Sequence, residues 1–157
     1  MKALVVYDSF FGNTEQIARA IGDALRAQGE VEVVQARDVK PGQLDGLTLL
    51  VVGSPTRAFR PSRAIVGFLH GIPRGSLKDV KLAAFDTRMI LNDATIPLLR
   101  VMVRLFGYAA ENMSGRLRRK GGQEPVPPAG FFVTGTEGPL KPGELDRAAE
   151  WAKRLTA

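Results

Sequence analysis

The residues able to do chemistry are few, and they sit in short strings. There is no cysteine, which excludes a thiol nucleophile, a disulfide scaffold, cysteine-held zinc and an iron–sulfur cluster. With His70 the single histidine, neither a histidine-rich metal site nor a Ser-His-Asp triad is expected. What remains is small residues, hydroxyls and carboxylates in three places. The first string is Asp8-Ser9-Phe10-Phe11-Gly12-Asn13-Thr14. A helix opening at Asn13 would present unpaired N–H groups and a partial positive charge. Gly12 would allow close approach, and Ser9, Asn13 and Thr14 would add donors. That combination receives a phosphate by dipoles and hydroxyls, because no lysine or arginine lies between residues 8 and 14. It lacks the Gly-Lys-Ser/Thr of a P-loop and the Gly-x-Gly-x-x-Gly of a dinucleotide loop. The same residues also read as an ordinary loop with helix caps. The second string runs Gly53-Ser54-Pro55-Thr56-Arg57-Ala58-Phe59-Arg60-Pro61, and the third is Asp86-Thr87-Arg88.

These strings need elements to hold them, and the apolar pattern supplies them. Ala3–Tyr7, Leu47–Val52, Val80–Phe85 and Gly130–Val133 are short apolar runs that predict buried strands, while Val31–Val34 alternates like an edge strand. Between them lie amphipathic stretches. Asn13–Ala27 places Ile17, Ile21, Ala24 and Leu25 on one face, with Gly29 as a left-handed cap. Further helices are predicted from Pro61-Ser62 to Leu69, over Tyr108–Lys120, and from Gly143-Glu144 onward with Leu145, Ala148, Ala149, Ala152 and Leu155 in step. Strands alternating with helices predict a parallel sheet in one α/β domain spanning residues 1–157. The chemical strings all follow strands, where open α/β sheets bind ligands, and the elaborate loops after the first and third strands place the switch point there. The strand order is therefore 2-1-3-4-5.

Ser9-Phe10-Phe11-Gly12-Asn13-Thr14 together with Gly53-Ser54-Pro55-Thr56 resembles the flavodoxin family, and element order and loop positions agree along essentially the whole chain. Phe85-Asp86-Thr87-Arg88 and Thr134-Gly135-Thr136-Glu137-Gly138-Pro139-Leu140 look like strings of a less studied flavodoxin-like subgroup. The resemblance implies a flavodoxin-like three-layer sandwich that binds flavin mononucleotide (FMN). Phosphate contacts fall to Ser9, Asn13 and Thr14, and to the backbone N–H groups of Phe10 and Gly12. Ring contacts fall to Pro55, Thr56, Arg57, Phe59, Asp86, Thr87 and Arg88. No side chain is assigned as acid, base or nucleophile, because outer-sphere electron transfer needs none. Two departures bear on affinity and potential: Phe11 stands where flavodoxins carry a hydroxyl, and residues 86–93 offer no second aromatic to stack on the ring.

The resemblance implies an electron carrier. A net charge of +6, where electron-carrier flavodoxins are acidic, directs it to an acidic redox protein partner. No basic-aromatic module points to nucleic acid. Arg57 or Arg88 beside the ring would raise its potential; alternatively Arg88 pairs with Asp86 and Arg57 is solvated. Residues 86–129 hold about twice the chain that a loop and one helix need. The excess, residues 89–107, is an apolar helical insertion interrupted by Arg100 and Arg104. It would roof the site, form a homodimer interface or make peripheral membrane contact. Two other functions therefore stay open: an FMN-dependent quinone or protoporphyrinogen reductase at a membrane surface, and a flavin-free binding module that retains the fold. Arg116, Arg118, Arg119 and Lys120 form a basic cluster that is either a solvated helix end or a docking face. Trp151 reads as core, Glu137 as a turn residue, and His70 as a helix-terminal residue. Asp8 and Asp86 would suit a phosphorylatable receiver domain, but Gly53-Ser54 and Thr134-Gly135 stand where that family needs an acid and a lysine. No signal peptide or membrane span is visible, and the expected location is cytoplasmic.

Overall fold

The computed structural model describes residues 1–89, 97, 101 and 107–157. Its strands are β1 (Lys2–Tyr7), β2 (Glu30–Gln35), β3 (Leu49–Pro55), β4 (Lys81–Met89) and β5 (Ala129–Val133). Its helices are α1 (Asn13–Leu25), α2 (Arg63–His70), α3 (Ala109–Arg118) and α4 (Glu144–Leu155). The sheet is parallel throughout in the order β2-β1-β3-β4-β5, as expected from the sequence. The insertion read over residues 89–107 lies, apart from Met89, Pro97, Val101 and Gly107, outside the described residues. Among the described residues no helix is long and apolar enough to cross a membrane.

Strand alternation divides the core between the two sheet faces. Val5, Val51 and Phe85 pack with Ile17, Ile21 and Leu25 of α1 and Ala148, Trp151 and Leu155 of α4. Leu4, Leu50, Val52 and Leu82 pack on the other face with Ile65 and Leu69 of α2 and Met113 and Leu117 of α3. Phe85, Phe131 and Trp151 meet edge to face with centroids 6.0–6.3 Å apart, so Trp151 is core. Gly53 makes room for this cluster, since a Cβ there would lie 2.0 Å from the Phe85 ring.

Two local expectations change. Gly29 has φ 153° and is no left-handed cap; a short 3₁₀ turn, Arg26–Gln28, ends α1, and Gly29 is required because a Cβ would lie 2.3 Å from the Met1 carbonyl oxygen. β4 does not stop at Phe85. Asp86, Thr87, Arg88 and Met89 continue the ladder between Ser54-Pro55 and Gly130–Val133, so the third chemical string is strand, not loop. Pairing on both sides outweighs its polar sequence because, as shown next, its polar groups find partners.

Candidate functional site

The ends of β1, β3 and β4 and the loop after β5 surround a small open cleft of about 170 Å³. The loop after β1 is built by its own hydrogen bonds. The Asp8 carboxylate accepts from the Ser9 N–H (3.0 Å), and Ser9 Oγ accepts from the Gly12 N–H (3.0 Å). Gly12 has φ 90° and caps α1, its carbonyl accepting from the Gln16 N–H (3.1 Å). This is a position where a side chain is strained by conformation alone, as a Cβ would touch nothing within 4 Å. The Gly12 N–H is thereby spent inside the loop, a correction to its expected role as a phosphate donor. The N–H groups of Asn13, Thr14 and Glu15 have no helical acceptor and remain for an anion.

The Asn13 side chain is also redirected. Its amide donates to the Glu137 carbonyl (3.0 Å) and ties α1 to the loop after β5. Gly138, at φ 102°, allows this closure, because a Cβ there would lie 2.6 Å from the Asn13 amide. Thr14 and Thr87 are buried with their hydroxyl oxygens 2.8 Å apart. One proton is used between them, which leaves the other for a group in the cleft. Ser9, Asn13, Thr14 and Thr87 make a polar floor, and Phe10, Phe11 and Met89, each about half exposed, make an apolar rim.

The chain after β3 forms the second wall. The Thr56 N–H donates to the Thr87 carbonyl (3.0 Å), and Thr56 Oγ1 accepts from the Ala109 N–H (3.1 Å) at the start of α3. Arg57 and Arg60 close a tight turn through reciprocal backbone bonds of 3.1 and 2.9 Å. Its tip residues, Ala58 (φ 47°) and Phe59 (φ 66°), are both left-handed, a conformation that strains residues with a Cβ. The turn holds the Arg57 guanidinium 4.7 Å from the Phe10 ring centroid. Phe59 is not a wall of this cleft. Phe59, expected as a ring contact, lines a neighbouring opening instead.

Asp86 is likewise absent from the cleft lining. It is wholly buried beneath it, paired with Arg88 through two bonds of 2.6 and 2.8 Å and accepting from the Ala110 N–H (2.9 Å) at the start of α3. Burial pushes its carboxyl up against the opposing pull of Arg88 and that N–H. Arg88 stacks 3.6 Å from the Tyr108 ring centroid and approaches Glu111 at 3.8 Å. Its guanidinium lies over bare backbone, since a Cβ at Gly130 would be 2.2 Å from Arg88 Nε. Local pairing therefore decides Arg88. Arg57 has no carboxylate within 4.0 Å among the described residues.

Sequence reasoning brought Ser9, Phe10, Asn13, Thr14, Pro55, Thr56, Arg57, Thr87 and Arg88 to one cleft; it missed Ala58, Met89, Val133 and Thr136 as lining. Met89 follows from the unforeseen extension of β4. Thr136 lies in the 134–140 string, whose fold-back, Thr134 N–H to Pro139 carbonyl (2.9 Å), is tertiary.

A parallel sheet of this order, with an anion-receiving helix start at its switch point and loops walling the space beyond, defines the class of doubly wound α/β proteins that bind a phosphate-bearing ligand. Within that class the chain belongs to the flavodoxin family, whose model, described as Flavodoxin, matches residues 5–85. Membership implies flavin binding, typically as FMN, and electron transfer in general terms. Solved structures agree on the fold. A flavodoxin from the domain Archaea has TM-score 0.72 and 22% identity, covering 100% of both chains. Oxidised Flavodoxin 1 from Bacillus cereus has TM-score 0.76 and 17% identity, covering 99% of this chain and 97% of that one. Rubredoxin oxygen:oxidoreductase from Desulfovibrio gigas has TM-score 0.66 and 18% identity, covering 98% of this chain and 35% of that one.

Proposed function

We propose that the protein binds FMN in this cleft and carries electrons to or from an acidic protein partner. The observation that carries the reading is the pairing of a phosphate-type floor with an apolar rim: free N–H groups of α1, the Ser9 hydroxyl and the Thr14–Thr87 pair below, and Phe10, Phe11 and Met89 above. These residues fit the group. Ser9, Asn13 and Thr14 would hold its phosphate through hydroxyls and backbone N–H groups, Phe10 N–H adding to them, and Pro55, Thr56, Arg57, Thr87 and Arg88 would border its ring. When bound, FMN supplies the electron-accepting ring, and the protein supplies orientation and field. Ser9 fixes the loop by accepting from Gly12, which leaves its own proton to donate. Thr56 ties the wall after β3 to α3, and Asp86 holds Arg88 against Tyr108, so both walls stand before any ligand arrives.

The half-exposed Phe10, Phe11 and Met89 also favour a second reading, an FMN-dependent reductase taking a small apolar oxidant such as a quinone. Titrating the apoprotein with FMN and with riboflavin, following flavin fluorescence, tests the cofactor reading. Submicromolar FMN binding with riboflavin weaker by at least about tenfold, or 1.4 kcal/mol, supports the phosphate floor. Absence of FMN binding at tens of micromolar would overturn the reading and leave a flavin-free module. With FMN bound, steady turnover of a soluble quinone would favour the reductase over the carrier.

A further inference from the structure

Beside the cofactor cleft, and sharing Arg57 with it, lies a second opening of about 850 Å³ between the Arg57–Arg60 turn, the start of α2 and the side of α3. Four arginines line it, Arg57, Arg60, Arg63 and Arg116, and among the described residues no carboxylate does. Among the described residues no carboxylate lies within 4.0 Å of any of the four, whereas Arg19, Arg26, Arg88, Arg118 and Arg147 each meet one. Arg116 is oriented by the Asn112 side-chain oxygen, which accepts from its Nε at 2.7 Å without neutralising its charge. Arg57 and Arg60 face each other across the strained turn described above. Both the left-handed tip and the gathering of like charges act against the folded chain, so the arrangement is one that a counter-charge stabilises.

We propose that this arginine cleft docks a segment rich in aspartate and glutamate on the protein that exchanges electrons at the neighbouring site. The inference rests on the electron-transfer reading and adds where the partner binds. Guanidinium forks take carboxylates in paired hydrogen bonds. The opening is about five times the volume of the cofactor cleft, which suits an extended chain better than a single anion. Its continuity through Arg57 puts whatever occupies it next to the flavin. It also divides the basic cluster noted in the sequence: Arg116 enters the cleft, while Arg118 turns to Glu124 at 3.7 Å.

The test uses the full chain and a fluorescein-labelled peptide of alternating glutamate and glycine, read by anisotropy at low salt. Three proteins are compared: the natural chain, a cleft variant (Arg60→Ala, Arg63→Ala, Arg116→Ala) and a variant of equal charge change at the α3 end (Arg118→Ala, Arg119→Ala, Lys120→Ala). Arg57 is left intact because it borders the cofactor cleft. The expected result is peptide binding weakened at least about tenfold in the cleft variant and less than about twofold in the other, a localised charge effect. Equal weakening in both, or no binding by the natural chain, would overturn the proposal. So would an oligodeoxythymidylate of equal charge that binds more tightly with the same dependence on the cleft arginines, since the cleft would then be a nucleic-acid site. FMN titration of all three proteins separates the two readings. Unaltered FMN affinity in the cleft variant shows that it folds, and loss of FMN binding in the natural chain would sink the cofactor reading, whatever the peptide does.

Discussion

Arg57 and Arg88 are alike in sequence, but Arg88 forms one buried unit with Asp86, while Arg57 is exposed and has no carboxylate within 4.0 Å among the described residues. That contrast sets their separate consequences. Asp86→Asn leaves an arginine with a side chain only 12% exposed facing a neutral amide. Unfolding in urea should show a loss of about 3 kcal/mol, the lower end for breaking a buried pair, with part of it regained when Arg88→Met is added. Arg57, by contrast, is held at the cleft by stacking on Phe10. Arg57→Ala should lower the two-electron midpoint potential of bound FMN by about 10–20 mV, the equivalent of roughly 0.5–1 kcal/mol for a solvent-screened charge. An unchanged potential would show that Arg57 does not act on the ring.

Elements show their consequences where local preference and tertiary demand disagree. The Arg57–Arg60 turn is one such place. Two-residue turns of this geometry favour glycine or asparagine at the tip, yet alanine and phenylalanine occupy it. Replacing Ala58 with glycine should raise the urea midpoint, stabilising the protein by about 0.5–1 kcal/mol once the extra freedom of the unfolded chain is deducted. No gain would mean that the turn is relaxed and the strain argument for the arginine cleft loses a leg. β4 is the other such place. Its polar end remains in the sheet because Asp86 is capped by α3 and Arg88, and because Gly130 leaves the guanidinium room. The strand thus owes its length to a helix more than twenty residues onward, which no window of sequence around it contains.

For the molecule as a whole, the edge strand and the last helix are locked by Glu144. Its carboxylate accepts from the Phe132 N–H of β5 (2.7 Å) and from Arg147, whose guanidinium also reaches the Gly130 carbonyl. Burial alone would raise this carboxyl, but the hydrogen bonds from Arg147 and Phe132 outweigh it and hold the group below its ordinary value of 4.5. A depressed carboxylate contributes stability above its unfolded value, and that contribution is lost as pH falls through the folded one. The natural chain should therefore be more stable than Glu144→Gln near neutrality, with the difference shrinking below pH 4.5. Urea unfolding at a series of pH values measures it, and a constant difference would assign the effect of the substitution to packing alone.

Much of this protein was legible in the chain. Apolar runs of strand length, helical spacing in α1 and α4 and the chemical strings at the ends of β1, β3 and β4 determined the α/β class, the order 2-1-3-4-5 and the end of the sheet where a ligand belongs. These properties are local, since side-chain periodicity records which face of an element is buried. The site was legible only in part. That Gly12 spends its N–H on Ser9, that Asn13 binds Glu137, that Phe59 leaves the cleft and that Asp86 lies beneath it were decided by the tertiary structure. So was the meeting of Arg116 with Arg57, Arg60 and Arg63. A hydrogen bond or a charge cluster depends on where the fold brings distant backbones, and hydroxyls, amides and guanidinia carry no periodicity that names their partners in advance.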